Sequence, residues 1–209
     1  MNIKNISVLF FLFLFSQQLF AQDSSFIKVH FLYGSKPAKG YEKVESKWFG
    51  GKLGGHVGIE IDSNKILNFL PSGKFHVFAH SKQRHSRFAI HNIDNFYSIM
   101  GGDSDSCKYL IVSIPISNSQ KEELSKISEK YLAKTPYDYA FFGTRCGAAA
   151  YEILGQIDIV KSYSHRKNYM KIFYPRKMRK QLIKLATKHH WTTENREGCI
   201  SRNWEKDRK

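Results

Sequence analysis

Apolar and polar residues alternate along Phe26-Ile27-Lys28-Val29-His30-Phe31-Leu32, the period of a half-buried strand, and the run ends at the turn Tyr33-Gly34-Ser35-Lys36-Pro37. Residues Ala38 to Lys52 are polar and aromatic with scattered glycines and read as a long surface loop. Alternation resumes in Gly54-Gly55-His56-Val57-Gly58-Ile59-Glu60-Ile61-Asp62, where Val57, Ile59 and Ile61 point one way and His56, Gly58 and Glu60 the other. The turn Asp62-Ser63-Asn64 leads into an antiparallel partner, Lys65 to Pro71. Further strands are predicted over Lys74 to His80, Arg87 to His91 and Tyr109 to Ile114. The sum is a mainly antiparallel sheet of five or six strands.

The period then changes to that of helices. Ser119-Gln120-Lys121-Glu122 reads as a capping box, and the run to Lys134 sets Leu124, Ile127, Ser128, Tyr131 and Leu132 on one stripe. Ala148 to Leu154 reads as a short helix of small and apolar residues closed by Gly155. A last helix is predicted from about Pro175 to His189, with Met178, Leu182 and Leu185 as its apolar stripe. The fold class is therefore α+β, helices packed on one sheet, with no internal repeat.

The chain begins with a charged stretch containing Lys4, then the apolar run Val8 to Phe15, then a small residue at Ala21. This predicts a secretory signal over 1–21, too short to span a bilayer, and an exported protein, periplasmic or secreted. No cysteine stands near the cleavage point to carry a lipid, and no later segment is apolar and long enough to cross a membrane. A body over 22–160 and a basic helical extension over 161–209 complete the expected organisation. From Lys161 onward there are 15 Lys and Arg against 4 Asp and Glu, which is +11 of the net +15. Two readings stay open for that excess: contact with an anionic envelope surface, or a solvated face. No nucleic-acid recognition motif accompanies the charge, so no specific nucleic acid is expected as a partner.

Cys146 stands just ahead of the small-residue helix, where unpaired N–H groups and the positive end of the helix dipole favour a thiolate. Gly147 beside it leaves room for a substrate. The alternative is a buried structural cysteine. Of the three cysteines, Cys107 and Cys199 lie in polar, loop-like settings and are candidates for a bridge, leaving Cys146 as the unpaired one. A thiolate nucleophile needs an imidazole base, and the base needs an orienting acceptor. Among nine histidines, His56 is set apart by Gly54, Gly55 and Gly58 around it. With a three-residue hairpin loop, Asn68 lies diagonal to His56 on one face; a two-residue loop would turn Asn68 away. Glu60 and His76 are the other candidates to orient His56. Tyr33 and Tyr137 are candidates for a second oxyanion donor beside the Cys146 N–H. The histidines show no zinc spacing, Gly34-Ser35-Lys36 lacks a phosphate-cradling glycine pattern, and no cofactor is called for.

His56-Val57-Gly58-Ile59-Glu60-Ile61, the twelve-residue step to Asn68-Phe69-Leu70-Pro71, and the later Tyr137-Asp138 followed by Cys146 resemble the permuted papain-like hydrolases. These include lecithin:retinol acyltransferase relatives and the permuted branch of the NlpC-type peptidases. The resemblance covers Phe26 to Gly155. It implies a sheet packed by the cysteine-bearing helix, Cys146 as nucleophile, His56 as base, Asn68 as third residue, and acyl transfer through a thioester. The acyltransferase members carry a second histidine where Asn68 stands and an Asn-Cys-Glu motif where this chain has Arg145-Cys146-Gly147. Compartment and resemblance together point to an amide in a cell-wall peptide or an N-acyl compound as substrate. A lipid-directed acyltransferase or esterase, and a catalytically silent envelope-binding module, are the alternatives.

Overall fold

The computed structural model describes residues 25–45, 54–82 and 84–207. The expected signal over 1–21 and residues 46–52 of the expected surface loop lie outside them. The described strands are β1 (Ser25–Leu32), β2 (Ser35–Pro37), β3 (His56–Asp62), β4 (Lys65–Pro71), β5 (His76–Phe78), β6 (Ser86–His91), β7 (Tyr109–Ile116), β8 (Ala140–Phe142), β9 (Thr193–Arg196) and β10 (Arg202–Trp204). Five helices are described: α1 (Ile93–Ser98), α2 (Asn118–Ala133), α3 (Cys146–Gln156), α4 (His165–Lys171) and α5 (Pro175–His189). The fold is α+β with a mainly antiparallel sheet. Among the described residues no helix is long and apolar enough to cross a membrane.

Six strands form one antiparallel sheet in the order β6-β4-β3-β1-β7-β9. Alternation sorts its side chains onto two buried faces. Val29, Phe31, Val57, Ile59, Leu67 and Phe69 join the main core, which holds the buried residues of α2, α3 and α5. Leu32 and Ile66 face the other way, onto a smaller cluster with Phe96, Tyr97, Met100 and Cys107. The short helix α1 carries Phe96 and Tyr97 and was not foreseen from the sequence. Gly58 is required beneath it, because a Cβ there would sit 2.7 Å from the Phe96 ring and 2.4 Å from the Ile66 side chain.

The β3–β4 hairpin reaches the expected register by an unexpected route. Asp62 pairs with Lys65 across a two-residue turn, in which Asn64 takes a left-handed φ of 59°. A bulge between Glu60 and Asp62 absorbs one residue, so Gly58 still lies opposite Asn68.

Two expected elements are corrected. Lys74 to His80 does not form a strand of the main sheet. Only His76–Phe78 is extended, and it pairs in parallel with β8 in a separate two-stranded unit, because β6 already occupies that edge of β4. The cap of α2 is Ser117, not Ser119. Its hydroxyl accepts from the Gln120 N–H while the Gln120 side chain accepts from the Ser117 N–H. Leu124, Ile127, Ser128 and Tyr131 are buried as the stripe requires, whereas Leu132 is exposed.

The segment after Val160, expected as an extension, is woven into the same body. Its helix α5 has the expected bounds and buries Met178, Leu182 and Ala186 in the main core. Its strand β9 forms an edge of the sheet against β7, and β10 pairs with β2. Two of its arginines are buried. Arg202 donates to Ser35 at 2.7 Å and to Glu45 at 2.6 Å. Arg179 pairs with Asp207 at 2.9 Å and Glu205 at 3.1 Å and lies over the Tyr33 ring.

Candidate active site

Cys146 is the first residue of α3, not a residue ahead of it, and Arg145 is the cap. The helix continues through Gly155 to Gln156, so Gly155 is not its C-cap. The cysteine side chain is 3% exposed at the floor of the main core. Its sulfur is faced by backbone N–H groups of Val57 and Gly147 and by the Tyr139 hydroxyl, whose oxygen lies 3.9 Å away. Burial raises the thiol above its ordinary range, outweighing Tyr139, the Arg145 charge and those N–H groups. The room expected at Gly147 is taken by the start of α5: a Cβ there would meet the Pro175 backbone at 3.0 Å.

His56 opens β3 after Gly55, which holds a φ of +63° beside the Leu32 carbonyl. The ring is 4% exposed, and its Nε2 lies 3.1 Å from Asn68 Oδ1. The Asn68 amide donates to the Ile66 and Ala89 carbonyls at 3.2 and 3.1 Å, which fixes Oδ1 as the atom facing His56. Nε2 therefore carries the proton and Nδ1 the lone pair. Burial lowers the His56 pKa to about 4, with the Asn68 hydrogen bond pulling the other way, so the ring is neutral at neutral pH.

His56 and Cys146 meet opposite faces of the sheet. Val57 belongs to the core that holds Cys146, while the neighbouring His56 projects the other way and packs on Phe96 of α1, with ring centres 5.4 Å apart. The sulfur reaches the Val57 N–H at the end of the strand. Among the described residues no hydrogen bond joins it to the His56 ring.

The remaining candidates are bound elsewhere. Glu60 pairs with His30 at 2.9 Å, which is the main reason its carboxyl is held below the usual range. His76 binds Asp138 at 2.6 Å, and Asp138 also accepts from the His80 and His85 N–H groups. Burial works to raise Asp138, but these hydrogen bonds outweigh it and keep its pKa low. Tyr33 donates to Asp207 at 2.6 Å. The Tyr137 hydroxyl is buried with no hydrogen-bond partner among the described residues, and its ring stacks on His165. Tyr139 is thus the tyrosine that meets the sulfur. Both tyrosines flank Asp138, and nothing in their spacing separates them; the bridge between Tyr139 and Thr144 decides. Cys107 and Cys199 are free thiols; burial pushes Cys107 up to about 12, and the Cys199 N–H donates to Ser106 beside it.

One further assembly was not anticipated. Glu152 binds His165 Nδ1 at 3.0 Å, and His165 Nε2 lies 3.2 Å from the Thr144 hydroxyl. This carboxylate–imidazole–hydroxyl chain ties α4 to α3, but Thr144 is buried and presents no hydroxyl to a substrate. A cavity of about 900 Å³ is lined by Tyr33, Leu110, Ile183, His190 and Trp191 among others, and by none of Cys146, His56 or His165. Among the described residues no group of three or more His, Cys, Asp or Glu is arranged to hold a metal ion. No protein-family model, curated protein or solved structure matches the chain.

Proposed function

We propose that the protein is a cysteine-dependent hydrolase of the permuted papain-like kind, cleaving an amide in a cell-wall peptide or N-acyl compound through a thioester on Cys146. The observation that carries this reading is the set of donors on one buried sulfur. A structural cysteine gains little from N–H and O–H groups aimed at it; a thiolate, or an oxyanion formed beside it, gains a great deal. Tyr139 supplies one such donor at 3.9 Å, and the backbone N–H groups of Val57 and Gly147 act on the thiol in the same direction. The hydrogen-bonded His56–Asn68 pair one residue from Val57 adds a neutral imidazole with its Nδ1 lone pair available.

In the proposed reaction the start of β3 at Gly55–His56 turns the ring to the sulfur's side of the sheet, the thiol proton passes to His56 Nδ1, and the sulfur attacks the carbonyl carbon. The N–H groups of Val57 and Gly147 receive the developing oxyanion. His56 then returns the proton to the leaving amine, and water releases the acyl group from sulfur. A second reading, a silent envelope-binding module on the same fold, is favoured by one observation: the His56 ring lies across the sheet from the sulfur. Intact-mass measurement after incubation with wall peptides and, separately, with N-acyl lipids decides between them. An acyl adduct on Cys146, lost in Cys146→Ala, supports the hydrolase. Asn68→Ala is then expected to lower turnover about tenfold to several hundredfold. Absence of adduct and of turnover with both substrate classes supports the module.

A further inference from the structure

The two-stranded unit β5–β8 ends in exposed aromatic side chains. Phe78 is 67% exposed, Phe142 52% and Val77 55%. Their rings are contiguous: Phe78 stacks on Phe142 at 5.4 Å, Phe142 meets Phe141 at 4.8 Å, and Phe141 meets Phe173 at 5.6 Å. Arg145, the cap of the Cys146 helix, lays its guanidinium over Phe173 and Tyr174 at 3.9 and 4.5 Å. Met170, 64% exposed, lies three residues before Phe173 on α4. Exposed phenylalanines in contact with one another cost free energy in water and call for an apolar partner.

The charge around this pad selects the partner. Phe173 lies within a stretch, Lys161 to Thr193, that holds ten Lys and Arg and no Asp or Glu; of these Arg179 is buried against Glu205 and Asp207. Lys171 and Lys177 of that stretch are exposed, two and four residues from Phe173. An apolar patch beside cations of a single sign suits the interface of an anionic bilayer, where rings enter the headgroup boundary and lysines meet phosphates. A glycan fits less well. Sugar rings need a flat, open aromatic face with hydrogen-bonding neighbours, whereas Phe78 and Phe142 cover each other and Phe141 stands edge-on to both Phe142 and Phe173.

We propose that this pad, formed by Phe78, Phe141, Phe142 and Phe173, docks the protein onto the surface of an anionic lipid bilayer. The basic stretch supplies long-range attraction, and the aromatic pad supplies the contact that holds. Docking does not depend on the chemistry of Cys146.

The test is co-sedimentation of the full chain with phosphatidylcholine vesicles, with and without phosphatidylglycerol, and with purified peptidoglycan. Binding is expected to the anionic vesicles, weakened but not abolished by salt, and at least about tenfold weaker in the Phe78→Ser/Phe142→Ser variant. Cys146→Ala is expected to bind as the unaltered protein does, which separates this proposal from the catalytic one. A Phe142→Trp protein gives an independent readout: its added fluorescence should shift to the blue when anionic vesicles are mixed in. Vesicle binding undiminished in the double variant, no fluorescence shift, or binding to peptidoglycan but not to vesicles would each overturn the proposal.

Discussion

At the scale of single residues, His56 shows how burial sets chemistry. Taking the ring out of water penalises its charged form, and one neutral amide acceptor does not make up the loss. The direction of the resulting pH dependence follows. Above about pH 7.5 neither the folded nor the unfolded ring is appreciably charged. As pH falls from there to about 4, the unfolded chain binds a proton that the folded protein refuses, and stability drops by about 3 kcal/mol. Below about 4 both states are charged and the loss is complete. The ring-proton resonance of His56 should therefore stay flat from pH 8 down to about 5, with a midpoint near 4. A midpoint near the ordinary imidazole value would mean that the ring is not buried against Phe96 as described. Cys146 follows the same rule with the opposite charge: its place at a helix start favours the thiolate, yet burial prevails and the thiol rises.

At the scale of elements, most local signals hold because they are short-range. The start of α2 is the instructive exception. Ser117 and Ser119 each have a capping-box partner three residues on, Gln120 and Glu122, but the backbone is already helical from Asn118, so only the extended Ser117 can complete the reciprocal pair. Ser117→Ala is expected to cost about 1 kcal/mol in urea unfolding, and Ser119→Ala only a few tenths at most. The reverse order would place the cap at Ser119 after all. The β3–β4 hairpin carries a related lesson. Its two-residue turn alone would have carried Asn68 to the wrong face, and the single-residue bulge restores the contact with His56.

At the scale of the whole molecule, the basic C-terminal segment is a structural component. Arg179 has a fully buried side chain, and its charge is met by Glu205 and Asp207, both from the tail end of the chain. Burial raises the Glu205 carboxyl, and the Arg179 charge is the main influence opposing it. Arg179→Met would take the main counter-charge from Asp207 and leave Glu205 with Arg176 alone at 3.8 Å, and is expected to destabilise the protein by about 3–5 kcal/mol. Urea unfolding monitored by tryptophan fluorescence would measure it; a change under about 1 kcal/mol would mean the clasp adds little. Ending the chain at Val160 removes an edge strand and the buried residues Ile172, Met178, Leu182 and Ala186. That truncated chain is expected to give no cooperative thermal transition by circular dichroism.

The strands Phe26 to Leu32, His56 to Asp62 and Lys65 to Pro71, the helix from Pro175 to His189 and the His56–Asn68 contact were legible in the amino-acid sequence, because each rests on a local period or on one hairpin; Ser35–Pro37, read as a turn, is the short strand β2. Burial on both sides of β3 was not. Alternation says that His56 and Val57 point apart, but not which of the two faces the Cys146 helix covers; that depends on long-range packing. The role of the last fifty residues was hidden for a different reason. Strand β9 has no buried side chain, and it joins the sheet through backbone hydrogen bonds that carry no sequence signature. Net charge, likewise, counts Arg179 and Arg202 with the solvated lysines, although both arginines are buried against carboxylates. The sequence by itself determined the long strands and helices and which of their side chains share a face. The tertiary structure alone decided which faces meet, and so placed Tyr139 at the sulfur, sent β5 off the sheet to build the exposed aromatic pad, and drew the basic segment into the core.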